Sequence, residues 1–354
     1  MINRFNTTIE TQKSERIPST TSYINNLLNK KNRKRILFKT SFILFLLLMF
    51  SFPIASLTGA KKGLLLWFNT VLPTLLPFII ISTLIVRLNI TKQLCIFLYP
   101  ILGRIFRVSK QGCYPIVIGF LSGIPMGAKA SADLLKKNKI SKNEAQFLLN
   151  LCNNASPMFI MGFIVISELQ APKLKIPFLV LLYLSSVISA TIYRLFTGLM
   201  KKKEVSPLID SQTPSYDEDE DNLTKIEFSM VDEAIGDGFE VITKVGGYII
   251  LFSVLAQIAF TAEAIPLNLR LLLVGFSEIT IGIHSLAISE LSSTIKIVLI
   301  CAITAFGGFS GVAQTNSVIA NSGLSIREYM KVKLINFFVS LILSFFYVQF
   351  IYKF

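Results

Sequence analysis

The sequence predicts an all-α polytopic membrane protein with about six transmembrane helices plus two re-entrant helical hairpins in an inverted repeat. Three observations predict it. Hydrophobic residues make up 52% of the chain and charged residues 16%, with a mean hydropathy of +0.61; an ordinary soluble domain carries about 25% charged residues. The apolar residues fall in blocks of the ~20-residue length that a helix needs to cross the hydrocarbon layer. Two Gly-rich stretches far apart in the chain also resemble each other, as internal repeats do.

Residues 1–35 form a polar leader that ends in Lys30, Lys31, Arg33, Lys34 and Arg35. Its composition argues for a disordered cytoplasmic segment. Leader and apolar core both exceed the dimensions of a secretory signal, so 36–58 reads as a retained first transmembrane helix. Crossings are expected at 37–57, 64–86, 144–167, 176–199, 241–262 and 329–351. Segments 93–106 and 267–288 are broken or flanked by charge and suit interfacial helices, although 267–288 is long enough to cross. Segments 112–127 and 297–312 are apolar but thick with Gly, Ser and Pro, and read as re-entrant. Between the halves, 201–228 opens on Lys201, Lys202 and Lys203 and closes on the acidic run Asp217 to Asp221. Like charges repel, so this is a solvated cytoplasmic linker rather than a metal site.

The formal charge of +14 does not imply nucleic acid, because Lys and Arg sit in short segments beside apolar blocks, as the positive-inside rule requires. Cys95, Cys113, Cys152 and Cys301 lie in apolar surroundings without CxxC spacing and read as small buried hydrophobes. No catalytic, metal or cofactor site is expected. The near match to a phosphate loop at Gly123–Ser131 fails in spacing and lacks a preceding strand. The expected partners are the lipid bilayer and a small substrate, and self-association is left open.

The repeat aligns residues 119–145 with 303–329, placing Gly123 on Gly307, Gly127 on Gly311, Ser141 on Ser325 and Glu144 on Glu328. Ser-x-x-Glu is a capping box, so each copy predicts a glycine-hinged hairpin followed by a capped helix. A looser likeness joins 63–86 to 236–259, with bends expected at Pro73 and Pro77 and at Gly246 and Gly247. The copies would occupy 59–200 and 229–354. The first hairpin carries Lys129, Lys136, Lys137, Lys139 and Lys142, and the second carries no charge. Three crossings separate them, so the second copy is inverted and opens outside. Lys331 and Lys333 then fall near the outer face, against the rule.

Discontinuous helices in inverted repeats carry the substrate sites of secondary transporters. The first hairpin tip offers Ser122, Gly123, Pro125 and Gly127, with Lys129 just beyond as a countercharge or a snorkelling cation. The second offers Gly307, Gly308, Ser310, Gly311, Gln314, Thr315 and Asn316. Within 144–167, Asn153, Asn154 and Ser156 are costly in lipid unless they face a cavity or bond another helix, two roles that remain equally open. Tight glycine packing is the competing explanation of the tips. His284 and Glu278 lie in 267–288, where nothing assigns them a role.

At WFNTVLPTLLPFIIIS (67–82), SGIPMGAKASADLL (122–135) and ISKNEAQFLLNLCNNASPMF (140–159) the chain resembles the sporulation integral membrane protein YlbJ family. That family belongs to the group with nucleoside-recognition Gate domains, which also occur in concentrative nucleoside transporters. The resemblance, over about residues 37–354, implies two Gate-like repeats in a concentrative-nucleoside-transporter-like core. It also implies a role in late spore maturation at the outer forespore membrane and movement of dipicolinate, a small planar dianion, out of the mother cell. Facing helix N-termini suit such an anion. A carrier of a nucleoside-like neutral solute, held by Asn153, Gln314 and Asn316, and a non-transporting scaffold are the alternatives.

Overall fold

The computed structural model describes residues 30–88, 90–198 and 228–352. Most of the expected leader, and the expected linker apart from Phe228, lie outside the described residues. The described residues are helical, without a strand among them. Two compact units, residues 1–53 and 54–354, divide the chain.

In the first unit α1 (Lys30–Ser51) exposes Leu37, Phe42, Leu46 and Phe50, a surface suited to lipid rather than water. The single helix expected over 36–58 ends at Ser51. Phe52 bends the chain and Pro53, which has no N–H to donate, opens α2 (Pro53–Leu66).

In the second unit α2 passes through a π-helical turn, Trp67–Val71, into α3 (Leu72–Arg87). Leu72 N–H reaches back to Trp67 O, and this widened turn accommodates Pro73, which cannot donate. Pro53–Ile85 is long and apolar enough to cross a membrane, as are Pro172–Phe196, Phe228–Phe260, Ser293–Val318 and Ile326–Phe350. The protein is therefore a multi-pass membrane protein. The short α4 (Ile90–Phe106) exposes Ile96, Phe97, Ile101 and Ile105. The long α9, Phe228–Phe260, packs along α3 and is a continuous α-helix through Gly246 and Gly247. Gly246 instead leaves room for the Trp67 indole, whose Nε1 donates to Ile242 O at 3.0 Å.

A first helical hairpin forms from α5 (Cys113–Ser122) and α6 (Met126–Lys136). Its arms touch where glycines leave space: a Cβ on Gly127 would stand 3.1 Å from Gly119 Cα and 2.5 Å from Cys152 O. The expected crossing at 144–167 is discontinuous. Its first half, α7 (Lys142–Cys152), stops at Asn153, and after Pro157 the chain winds as a π-helix over Phe159–Glu168. Next comes α8 (Lys175–Phe196), which presents Ser185, Ser186 and Ser189 to its neighbours. Small side chains let helices approach closely where apolar burial gives no advantage over lipid.

The second hairpin is not at 297–312. It is built from α10 (Leu267–Ser277) and α11 (Ile279–Ala287), with Glu278 extended between them and a Cβ on Gly282 only 2.2 Å from Gly275 Cα. Segment 267–288 is therefore neither an interfacial helix nor a crossing. The glycines at 307–311 break a helix that goes on: α12 (Ser293–Phe306) is followed by α13 (Gly308–Val318), and Gly307 takes the left-handed conformation that a branched residue resists (φ +86°). Both halves run antiparallel to α14 (Ile326–Phe350). Along α14, Tyr329 meets Asn153 beside Thr315, Asn336 bonds Ala305 O and Ser340 contacts Cys301, so the partners descend steadily and the chain does not turn back at Gly307.

Element order recurs on this evidence as hairpin, broken helix, straight helix: α5–α6, Lys142–Glu168 and Pro172–Phe196, then α10–α11, Ser293–Val318 and Ile326–Phe350. The register differs from the one the glycines suggested. Gly123 corresponds to Glu278, and the break at Asn153–Pro157 to that at Gly307. Glycine serves both a close helix crossing and a helix break, so its spacing alone aligned unlike elements.

The two capping serines hold: Ser141 Oγ accepts from Glu144 N at 3.2 Å and Ser325 Oγ from Glu328 N at 3.3 Å. The glutamates do not reach back. Glu144 Oε1 takes Ser109 N at 2.7 Å, and Ser325 N goes to Gln146 Oε1 at 2.7 Å, so longer-range partners replace the local ones. Lys333, expected near the outer face, is 1% exposed.

Candidate functional site

Every interruption of a membrane helix leaves backbone groups that lipid cannot satisfy, so the positions of the breaks bear directly on function. In this fold four of them meet. The tip of α5–α6, the gap at Ala155–Ser156, the tip of α10–α11 and the break at Gly307 surround one cavity of about 70 Å³, closed on the remaining side by Val71 and Leu75 and by Val245 and Ile249 of α9. Its polar lining consists of Ser122, Ser156, Glu278, Thr280 and Gln314. A second cavity of about 880 Å³ shares Val245 and Gln314 with it and holds Pro125, Lys129, Lys136 and Asp133 on its wall.

Local structure explains each position. Gly123 ends α5 at φ +78° with Ser156 N directly beside it, so the first tip rests on the first break. Ser156 caps the helix half that Pro157 opens, accepting from Phe159 N at 3.2 Å. Glu278 caps α11, accepting from Ile281 N at 2.9 Å and from the Thr280 hydroxyl. Ser122 Oγ is buried and has no hydrogen-bond partner. An orphaned buried hydroxyl costs about 1–3 kcal/mol, which points to a group that satisfies it in another state.

Of the expected site residues, the small cavity brings together Ser122, Ser156, Gly307, Gly311 and Gln314. Gly123 and Gly308 are hinges beside it, and Ser310 is buried while accepting from Gln314 Nε2 at 3.2 Å. Gly127 packs against Cys152, away from both cavities. Pro125 and exposed Lys129 face the larger cavity. Asn316 is exposed and lines neither.

Asn153, Asn154 and Thr315 are clasps. Asn153 Nδ2 donates to Thr315 Oγ1 at 2.8 Å and Tyr329 OH at 2.9 Å, while its Oδ1 accepts from Ala128 N at 3.3 Å. Asn154 Oδ1 accepts from Ser186 Oγ at 3.1 Å and from Lys333 Nζ at 2.9 Å. Lys333 also reaches Ala305 O at 3.4 Å. These side chains tie the first break to α13, α14 and the end of α12, so these elements share one polar seam. Of the two roles left open for Asn153 and Asn154, the interhelix bond is the one present in this conformation.

Two residues were missed, Glu278 and Lys333. A signal existed for both, since an ionisable residue inside an apolar segment is a functional candidate by default. Among the described residues, no group of His, Cys, Asp and Glu has the arrangement of a metal site, and all four cysteines are free and buried.

Fold and site together define a polytopic membrane protein whose helix breaks converge on one internal cavity. No family model matches the chain, and no solved structure matches it. Among curated proteins it is similar to the sporulation integral membrane protein YlbJ of Bacillus subtilis (strain 168), with 29% identity over 323 residues that cover 83% of this chain and 78% of the relative. The likeness to the YlbJ family carried by three short motifs thus extends over most of both chains.

Proposed function

We propose that the chain is a membrane carrier of a small anionic solute in spore maturation, with dipicolinate as that solute. The observation that carries this reading is the meeting of two hairpin tips and two helix breaks at one cavity. Broken backbone at membrane depth is the usual mark of a site that holds a polar solute and then releases it to the other side. The likeness to a sporulation integral membrane protein supports a setting in sporulation, for which we take the outer forespore membrane of the mother cell. Two helices long enough to cross and the broken segment 142–168 lie between the two hairpins in chain order; with the broken segment crossing as well, the hairpins are opposed and access alternates.

One observation favours a second reading. Glu278 puts a carboxylate at the cavity, where it would accept hydrogen bonds from the hydroxyls of a neutral, nucleoside-like solute. Deleting the gene in its spore-forming host separates these readings. Under the anion reading, spores lose dipicolinate while the mother cell still makes it, and dipicolinate added outside restores them. Spores of normal dipicolinate content reject that reading.

A further inference from the structure

We propose that Glu278 is the coupling group of the carrier, binding a proton in the same step in which the anionic solute enters the cavity between the hairpin tips. This rests on the carrier reading and adds the driving ion to it.

Glu278 is 1% exposed and is the one ionisable side chain on the wall of the small cavity. Its surroundings offer no countercharge, because the charged groups on the elements packed around α10–α11 are engaged elsewhere or exposed. On α10 itself, Arg270 Nη1 donates to Phe260 O at 2.9 Å. His284 of α11 pairs with Glu168 of the π-helical segment at 2.9 Å. Lys296 of α12 donates to Ala287 O at 2.8 Å. On α9, Lys244 pairs with Glu240, Glu233 and Asp237 pair with Arg87 of α3, and Asp232 is exposed. No charged residue occurs in α13. The buried Lys333 of α14 is held by Asn154 and Ala305 O.

An anion brought beside an ionised Glu278 in this setting meets a repulsion that water does not screen. A proton on Glu278 removes that repulsion and turns the carboxyl into a donor. Proton and anion therefore favour each other's binding, which is the reciprocal linkage that co-transport needs. The orphaned hydroxyl of Ser122, on the same cavity wall, is an independent sign that this space receives a polar ligand. A second cation is a poorer fit. Apart from Glu278 only Ser122, Ser156, Thr280 and Gln314 offer polar side chains there, Ser156 and Thr280 are already bonded, and the rest of the wall is apolar except for backbone. A hard cation asks for about six oxygens.

The competing explanation is that Glu278 only caps α11. Glu278→Gln keeps the cap acceptor and removes the titrating proton, so it separates the two roles. Full-length wild-type protein and the variant are reconstituted in vesicles loaded with dipicolinate, and labelled dipicolinate is added outside. Exchange without a pH gradient tests the carrier reading alone. A gradient of about one pH unit then sustains about tenfold accumulation per coupled proton in the wild type, and uptake by the variant no longer responds to the gradient. Accumulation in the variant equal to wild type overturns the proposal, whereas absence of exchange in both overturns the dipicolinate reading. Infrared difference spectra between acid and neutral buffer add a readout that needs no substrate. A protonated-carboxyl band present in wild type and missing in Glu278→Gln is expected, and a band that survives the substitution rejects the assignment.

Discussion

The glycines of this chain look alike in sequence and differ in what they do. A Cβ on Gly127 would stand 2.5 Å from Cys152 O and on Gly282 2.2 Å from Gly275 Cα, distances that no side chain tolerates without backbone movement. At Gly311 the nearest atom to such a Cβ is Ile124 Cδ1 at 3.7 Å, ordinary contact. Overpacking a close crossing costs about 1–3 kcal/mol, so Gly127→Ala and Gly282→Ala should lower the thermal midpoint of the detergent-purified protein by several degrees. Gly311→Ala, at the cavity wall, should leave the midpoint unchanged. Equal midpoints for all three would show that the crossings are not packed as described. Such contacts are invisible in the sequence, which marks where glycine occurs but not what approaches it. Ser122, Ser156 and Gln314 were legible as cavity residues because polarity inside an apolar run has few explanations. Glu278 lies in 267–288, a segment whose place in the membrane the sequence leaves ambiguous, and its position at the cavity depends on the fold of α10 on α11.

At the scale of elements, the expected crossings at 64–86, 176–199, 241–262 and 329–351 fall on helices long and apolar enough to cross, whereas those at 37–57 and 144–167 are interrupted. Topology at the glycine-rich segments was read less well, because a hairpin and a broken crossing present the same mixture of Gly, Ser and apolar residues. The distinction lies in which helix the following residues pack against, a long-range property. The broken crossing Ser293–Val318 makes a direct prediction through the contact of Ser340 Oγ with Cys301 Sγ at 3.3 Å. In Ser340→Cys, mild oxidation should join the new thiol to native Cys301 within one chain, removing two free thiols by mass without forming a dimer. Failure of the pair to join, while the variant remains folded and membrane-inserted, would count against α12 and α14 running antiparallel in this register. Small serines at 185, 186 and 189 of α8 and at 340 and 344 of α14 keep this layer close-packed, which favours a stable frame around the cavity.

For the whole molecule, the two sets of hairpin, broken helix and unbroken helix are joined through α9, and between the hairpins lie the broken segment 142–168 and two helices long and apolar enough to cross, Pro172–Phe196 and Phe228–Phe260. We propose that 142–168 crosses as well, and the resulting odd number of crossings would put the open ends of the hairpins on opposite sides of the bilayer. Charge agrees in part, since Lys136, Lys137, Lys139 and Lys142 follow the first hairpin while Glu290 and no Lys or Arg lies in the turn after the second. Of the two lysines expected near the outer face, Lys333 is buried on Asn154 and Ala305 rather than lying at a face, while Lys331 is exposed and still counts against the inversion. Asn138 and Glu290 are both exposed, so single cysteines placed there report the two sides once the four native cysteines are replaced. In cells, a membrane-impermeant maleimide should label the Glu290→Cys chain and spare Asn138→Cys, and inverted vesicles should reverse the pattern. Labelling of both positions from one side would refute the inversion. It would leave the cavity intact but remove its alternating exposure, and with that the mechanical basis for reading the chain as a carrier.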